Sequence, residues 1–355
     1  MRKTLIALVS LALLAGCAAP AATPSSAPVP SQAPLAELDL APDPRTHQGA
    51  STAVLPSAAI EVLDPVPPQS LPATVISHDA GGARPVTVSD TSRVLALDLA
   101  GSIAATIAGL GYADRLVGRD ITTTFSGTED LPLVTSGGHT VNAEAILALR
   151  PTLVITDGTI GPRDVLEQLR EAGITVVFVE NTPSFAGAAQ LALDVAAAIG
   201  VDGQALADRI SADVEAKIAE IAAIAPAEGE RVRMLFLYLR GGAGIYYLFG
   251  EESGADQLIE GLAGTDVAGE IGWDGMKPMT DEALVAADPD LVLVMTEGLE
   301  SAGGVDGLLA SKPALALTTA GRNHRIVDMA DGVVLGFGPR SAAVLDALAR
   351  AVYAP

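Results

Sequence analysis

The stretch Glu144-Ala145-Ile146-Leu147-Ala148-Leu149-Arg150-Pro151-Thr152-Leu153-Val154-Ile155 returns 138 residues later as Glu282-Ala283-Leu284-Val285-Ala286-Ala287-Asp288-Pro289-Asp290-Leu291-Val292-Leu293. Most paired positions are identical or exchange one aliphatic for another. Each copy reads as a short helix, a proline that stops it, and a buried strand, because proline cannot donate to a helix and disfavours helical backbone before it. The interval far exceeds a solenoid period. The expectation is two similar lobes, each using the same helix–Pro–strand unit.

Outward from these copies, short apolar runs at 93–97, 152–156, 175–179, 233–239, 291–295 and 325–329 alternate with helical patterns at 101–110, 143–149, 163–172, 186–199, 256–262, 282–286 and 341–352. Alternation of this kind predicts α/β layers with mostly parallel sheets: two Rossmann-like lobes with a ligand cleft between them. Runs at 74–77 and 86–88 flank Asp79-Ala80-Gly81-Gly82 and read as a hairpin. Between the lobes, Leu206, Ile210, Val214, Ile218 and Ile221 fall at helical spacing. A single helix of ~21 residues would span about 32 Å, a long rigid strut that resists wide hinge closure.

The N-terminus carries Arg2 and Lys3, an apolar run at 5–15, and then Leu13-Leu14-Ala15-Gly16-Cys17. That is a signal peptide over 1–16, too short for a comfortable membrane span, ending in a bacterial lipobox pattern with the chain's one cysteine at the lipidation position. The reading is an extracytoplasmic chain, lipid-anchored to the cell membrane through Cys17. Residues 17–70 contain eleven of the 23 prolines and read as a lipidated Pro/Ala-rich tether. The remaining expected divisions are an N-terminal lobe over 71–200, the connecting helix over 201–225 and a C-terminal lobe over 226–355.

Composition removes several function classes. The net charge of −22 argues against a nucleic-acid surface. One cysteine excludes an intramolecular disulfide and cysteine-built metal clusters. G-x-S-x-G, G-x-x-x-x-G-K-[ST] and strand-linked G-x-G-x-x-G motifs are absent, so no enzyme is expected.

Three stretches carry chemistry. Thr135-Ser136-Gly137-Gly138-His139-Thr140 places an imidazole on a glycine-loosened loop just before a helix, where ligands of α/β folds bind. In Phe236-Leu237-Tyr238-Leu239-Arg240-Gly241, Tyr238 nears a strand's carboxyl end and Arg240, two residues on, shares its face. A guanidinium beside a phenol favours the phenolate, an oxygen ligand suited to ferric iron. Ile245-Tyr246-Tyr247-Leu248-Phe249-Gly250 gathers aromatic side chains in a chain only 3% aromatic, as a flat apolar ligand would require. Trp273 to Met279 adds Met276 as a further candidate contact. Each stretch also has a plain structural reading: a solvent-exposed histidine, a cross-strand contact, a hairpin strand.

The lipobox, the two α/β lobes, the connecting helix and the Glu-Ala-Ile-Leu-Ala-Leu-x-Pro unit resemble helical-hinge substrate-binding proteins of ABC importers, which carry haem, corrinoids and ferric siderophores. The stretches around His139, Tyr238 and Tyr246, with Gly336-Phe337-Gly338-Pro339-Arg340, are most similar to haem-binding lipoproteins of the HmuT type. That resemblance implies an axial pair on haem iron, His139 from one lobe and Tyr238 from the other, with Arg240 supporting the phenolate. It implies haem b as the transported ligand, and haem or a haem-donor protein as a partner. The remaining partners implied are ABC permease and ATPase subunits, docked through one acid per lobe; Glu144 and Glu282 are the candidates. Tyr246, Tyr247, Met276 and Arg340 are the candidate pocket residues. A corrinoid or a ferric siderophore remains the alternative cargo.

Overall fold

The computed structural model describes residues 32–355. The expected signal peptide and Cys17 lie outside the described residues. The chain then forms β1 (Ser51–Ala53), the hairpin β2 (Ala73–Asp79) and β3 (Gly82–Val88), and β4 (Val94–Leu97) leading into α1 (Ser102–Gly109). A small hairpin, β5 (Thr135–Ser136) and β6 (Thr140–Val141), precedes α2 (Ala143–Leu149) and β7 (Leu153–Thr156). Next come α3 (Arg163–Glu171), β8 (Thr175–Phe178), α4 (Phe185–Ala198) and the connecting helix α5 (Gln204–Ile224). Beyond it lie β9 (Arg233–Arg240), β10 (Ile245–Phe249), α6 (Ala255–Gly261), β11 (Thr265–Asp266), α7 (Val267–Glu270) and β12 (Met276–Pro278). The chain closes with α8 (Asp281–Ala287), β13 (Leu291–Met295), four short helices α9 (Thr296–Ser301), α10 (Gly304–Ser311), α11 (Pro313–Ala316) and α12 (Thr319–Arg322), then β14 (Ile326–Met329), α13 (Asp331–Val334) and α14 (Ser341–Tyr353).

Two sheets define the lobes. In the first, β4, β7 and β8 run parallel in the order β4-β7-β8. In the second the order is β1-β14-β13-β9-β10-β12, parallel from β1 to β9 and antiparallel across β10 and β12, with β11 beside β9. The strands of parallel sheets are covered on both faces, and β4, β7 and β14 are buried along their whole length.

The sequence repeat is a structural repeat. The side-chain oxygens of Asn142 and Thr280 accept the backbone N–H of Ala145 and Ala283, satisfying donors that a helix start leaves open. Both helices end on a left-handed residue, Arg150 at φ 48° and Asp288 at φ 39°, and proline follows each. The backbone thus turns sharply into β7 in one lobe and β13 in the other.

Helix α5 buries Leu206, Ala207, Ile210, Val214 and Ile221 against α4 and α14. Each of the leucine, isoleucine and valine side chains contributes about 1.5–3 kcal/mol of burial free energy. It therefore behaves as part of the core and not as a free linker.

The tether expected over 17–70 is corrected for its described part. Leu35 is 1% exposed, and β1 joins the second sheet through Ser51–Ala53 opposite Val327–Met329. The Tyr112 hydroxyl donates to the Pro67 carbonyl at 2.7 Å. Prolines forbid a regular helix here, yet Leu38, Leu40, Leu55, Ile60 and Leu63 are spaced well enough to pack an irregular chain onto the body.

Candidate functional site: an imidazole facing an aromatic wall

The C-lobe wall is built by register. In antiparallel pairing, directly opposed residues share a face. Tyr247 stands opposite Tyr238, Phe249 opposite Phe236, and Met276 opposite Phe249. The rings follow: Tyr238 lies 6.5 Å from Tyr247 and 5.7 Å from Phe249, and Phe236 lies 5.3 Å from Phe249, each pair stacked within 23°. The result is a flat aromatic face, with Met276 half-exposed at its edge.

Tyr246 does not join this wall. It points through the sheet, as alternate strand residues must. There its hydroxyl pairs with Ser311 Oγ at 2.9 Å and Lys312 Nζ sits 4.6 Å from its ring centroid. The expectation that Tyr246 lines the ligand pocket is therefore corrected; of the pair, Tyr247 is the one beside Tyr238.

Arg240 caps the wall. Its guanidinium carbon lies 4.8 Å from the Tyr238 ring centroid, a cation–π distance. Its Nη2 donates to Asp331 Oδ2 at 2.8 Å. Arg340 is the other cation on this side. Burial lowers its proton affinity, and it forms no ion pair among the described residues; its Nη2 is 3.5 Å from the Gly332 carbonyl.

His139 comes from the other lobe. It ends the three-residue loop of the β5–β6 hairpin, where Gly137 and Gly138 take φ of +55° and +95°, backbone that side chains resist. Asn142, the cap of α2, hydrogen-bonds the base of the hairpin through Asn142 N–H to Val134 O at 2.9 Å. The imidazole is half-buried, and its Nδ1 is buried without a partner. Burial lowers its proton affinity. The Arg240 cation acts the same way, while Asp120 and Asp331 oppose it. Arg240 and Asp331 belong to the other lobe, so the hairpin tip and the aromatic wall face each other across the seam.

The seam itself is close-packed beside them. A Cβ on Gly332 would fall 2.8 Å from the Thr122 carbonyl oxygen, and one on Gly336 would fall 3.3 Å from that of Ala100. Among the described residues, no cluster of three or more histidine, cysteine or acidic side chains could hold a bare metal ion.

A concavity of about 950 Å³ opens elsewhere on the seam. Glu228, Glu251, Glu252, Asp256, Glu260 and Asp266 line it with one cation, Arg231. Neither His139 nor Tyr238 borders it. Glu144 and Glu282 sit apart from both places, exposed at the second position of α2 and α8.

Residues 98–332 match the family model described as periplasmic binding protein. The chain belongs to that family. It is a family of substrate-binding proteins, not enzymes. A crystal structure of the heme binding protein HmuT is 41% identical, with the match covering 88% of this binding protein and all of that chain at TM-score 0.82. HmuT has also been solved with a histidine, a tyrosine and an arginine each replaced by alanine. There the histidine precedes the tyrosine by 99 positions and the arginine follows the tyrosine by two. The periplasmic heme-binding protein RhuT of Roseiflexus sp. RS-1 is 36% identical, covering 75% of this chain and 99% of its own, at TM-score 0.67. The ABC transporter substrate-binding lipoprotein YvrC of Bacillus subtilis (strain 168) is 25% identical, over 69% of this chain and 75% of its own.

Sequence reasoning missed Asp331, which meets Arg240 across 91 residues, so no local spacing reveals it.

Proposed function

We propose that this binding protein captures ferric haem between its lobes outside the cytoplasmic membrane and delivers it to an ABC permease, with no covalent change to the ligand. One observation carries the reading: a half-buried imidazole with an unpartnered nitrogen faces an aromatic wall that ends in a phenol capped by a guanidinium. A porphyrin needs a flat apolar surface, an axial ligand from each side, and cations for its carboxylates. The half-buried Tyr247 ring, stacked beside Tyr238, supplies part of that surface. His139 and Tyr238 supply the axial ligands. Their spacing of 99 residues, and the two-residue step to Arg240, repeat the spacing of the residues replaced in the HmuT variants. Arg340, a half-buried cation with no ion pair among the described residues, suits a propionate. The concavity lined by six acids does not, because they repel an anionic porphyrin.

Delivery would use Glu144 and Glu282, which the repeat places at equivalent exposed positions of the two lobes. Changing both to lysine should abolish uptake while leaving haem binding intact; unimpaired uptake removes them from the docking surface. Cys17 would carry the lipid, tested by incorporation of a labelled fatty acid and its loss in Cys17→Ala.

Titration of the purified protein with ferric haem tests the cargo. A Soret band should saturate, and it should shift or weaken in both Tyr238→Ala and His139→Ala. An unchanged spectrum in both variants removes the ligand assignment. Saturable binding of a corrinoid or ferric siderophore, with no ferric haem bound, would replace the cargo.

A further inference from the structure

Arg240 does not hold its place over Tyr238 unaided. A guanidinium on a flexible side chain loses considerable rotamer freedom when fixed, so something must oppose its release into water. Its Nη1 donates to the Leu239 carbonyl at 3.1 Å, a contact with its own backbone neighbour. Among the described residues, the one carboxylate that pairs with it is Asp331, through Nη2 at 2.8 Å.

Asp331 is itself fixed at both oxygens. Oδ2 takes Arg240, and Oδ1 accepts the backbone N–H of Glu297 in α9 at 2.9 Å. Its side chain is only 13% exposed. It opens α13, where a negative charge is favoured by the helix start. Helix α9 closes over the end of β9 at Gly298, where a Cβ would lie 2.7 Å from the Leu239 carbonyl oxygen and 3.1 Å from Arg240 Nη1. The guanidinium therefore sits in a slot with one wall of backbone, one of phenol ring, and a carboxylate at its end.

We propose that Asp331 is a positioning residue for the iron ligand Tyr238, acting through Arg240. It fixes the guanidinium 4.8 Å from the phenol ring centroid, so that the ring is held in one orientation toward the other lobe. This rests on the reading of Tyr238 as an axial ligand. Its role resembles that of the carboxylates which orient ligating groups in metal sites, whose loss typically lowers metal affinity by on the order of 10- to 100-fold.

The test is a double-mutant cycle on the full chain, read by the absorption spectrum of the ferric haem complex and by haem affinity. Asp331→Asn keeps the volume but removes the charge. It should reproduce the spectral change of Arg240→Ala and weaken haem binding on the order of 10- to 100-fold. Asp331→Glu should restore part of both. In an Arg240→Ala background, adding Asp331→Asn should alter affinity by no more than about twofold, since a residue acting only through Arg240 has nothing left to position. A wild-type spectrum in Asp331→Asn, or an equal loss of affinity with and without Arg240, overturns the proposal alone. A wild-type spectrum in Tyr238→Phe overturns the ligand assignment and this proposal with it.

Discussion

Lys217 on the connecting helix lies 2.8 Å from Asp346 on α14, joining the strut to the last helix of the C-lobe. Arg350 Nε completes the group at 2.6 Å from the other carboxylate oxygen. Burial pushes the Asp346 carboxyl up, but these two cations outweigh it and hold the group below the ordinary aspartate range. A carboxyl depressed in the folded state stabilises the fold above its unfolded pKa, and that contribution fades as pH falls through the folded value.

Asp346→Asn should therefore cost about 1–3 kcal/mol at pH 7. The gap between variant and parent should narrow below about pH 4. Denaturant unfolding at pH 7 and pH 3 checks both. A gap that stays constant with pH would mean the carboxylate charge contributes nothing.

The opposite sign holds for Asp98. It is fully buried, its oxygens accept the N–H groups of Ser102 and Ile103, and its own N–H donates to Asp120 Oδ2 at 3.1 Å. Burial, then the neighbouring Asp120 charge, raises its pKa well above the ordinary value. A raised carboxyl is charged in the unfolded chain before the folded one, so stability declines as pH climbs from the unfolded value towards the folded one. Asp98→Asn mimics the protonated form. Its melting temperature relative to the parent should rise steadily from pH 4 to pH 7; a difference independent of pH would refute this.

The packed leading segment makes a prediction that a free tether does not. Leu35→Ala removes a buried side chain next to α5 and should destabilise by about 2–5 kcal/mol, as core leucines do. A change near zero in the denaturation midpoint would restore the tether reading for this segment.

The two adjacent tyrosines separate by face. Tyr247→Ala should weaken haem binding by roughly fivefold, the scale of one aromatic contact. Tyr246→Ala should leave haem affinity and spectrum unchanged and lower stability alone, because its contacts are Ser311 and Lys312. Haem titrations of the two variants decide it; equal losses in both would contradict the register.

Much of this was readable from sequence where the signal is local. The bounds of α2 and α5 follow directly from caps, proline and helical spacing, and the pairing of Tyr238 with Arg240 follows from strand alternation. Local pattern failed where contacts are long-range. Proline-rich composition at 32–70 hid scattered leucines whose burial depends on α5 and α14. The cluster α9–α12 is built from helices of four to eight residues, too short for a periodic signal. Asp331 meets Arg240 across 91 residues, so only the fold announces it. Tyr246 and Tyr247 are both aromatic neighbours, and only register tells which one looks into the cleft.

Because β1 is stitched alongside β14, the second sheet takes in chain from ahead of the first lobe. Arg350 also reaches the Ala33 carbonyl at 2.7 Å, and the Ala41 N–H donates to the Tyr353 carbonyl at 2.8 Å, so the leading segment is fastened to the C-lobe at three successive points before the chain enters the N-lobe.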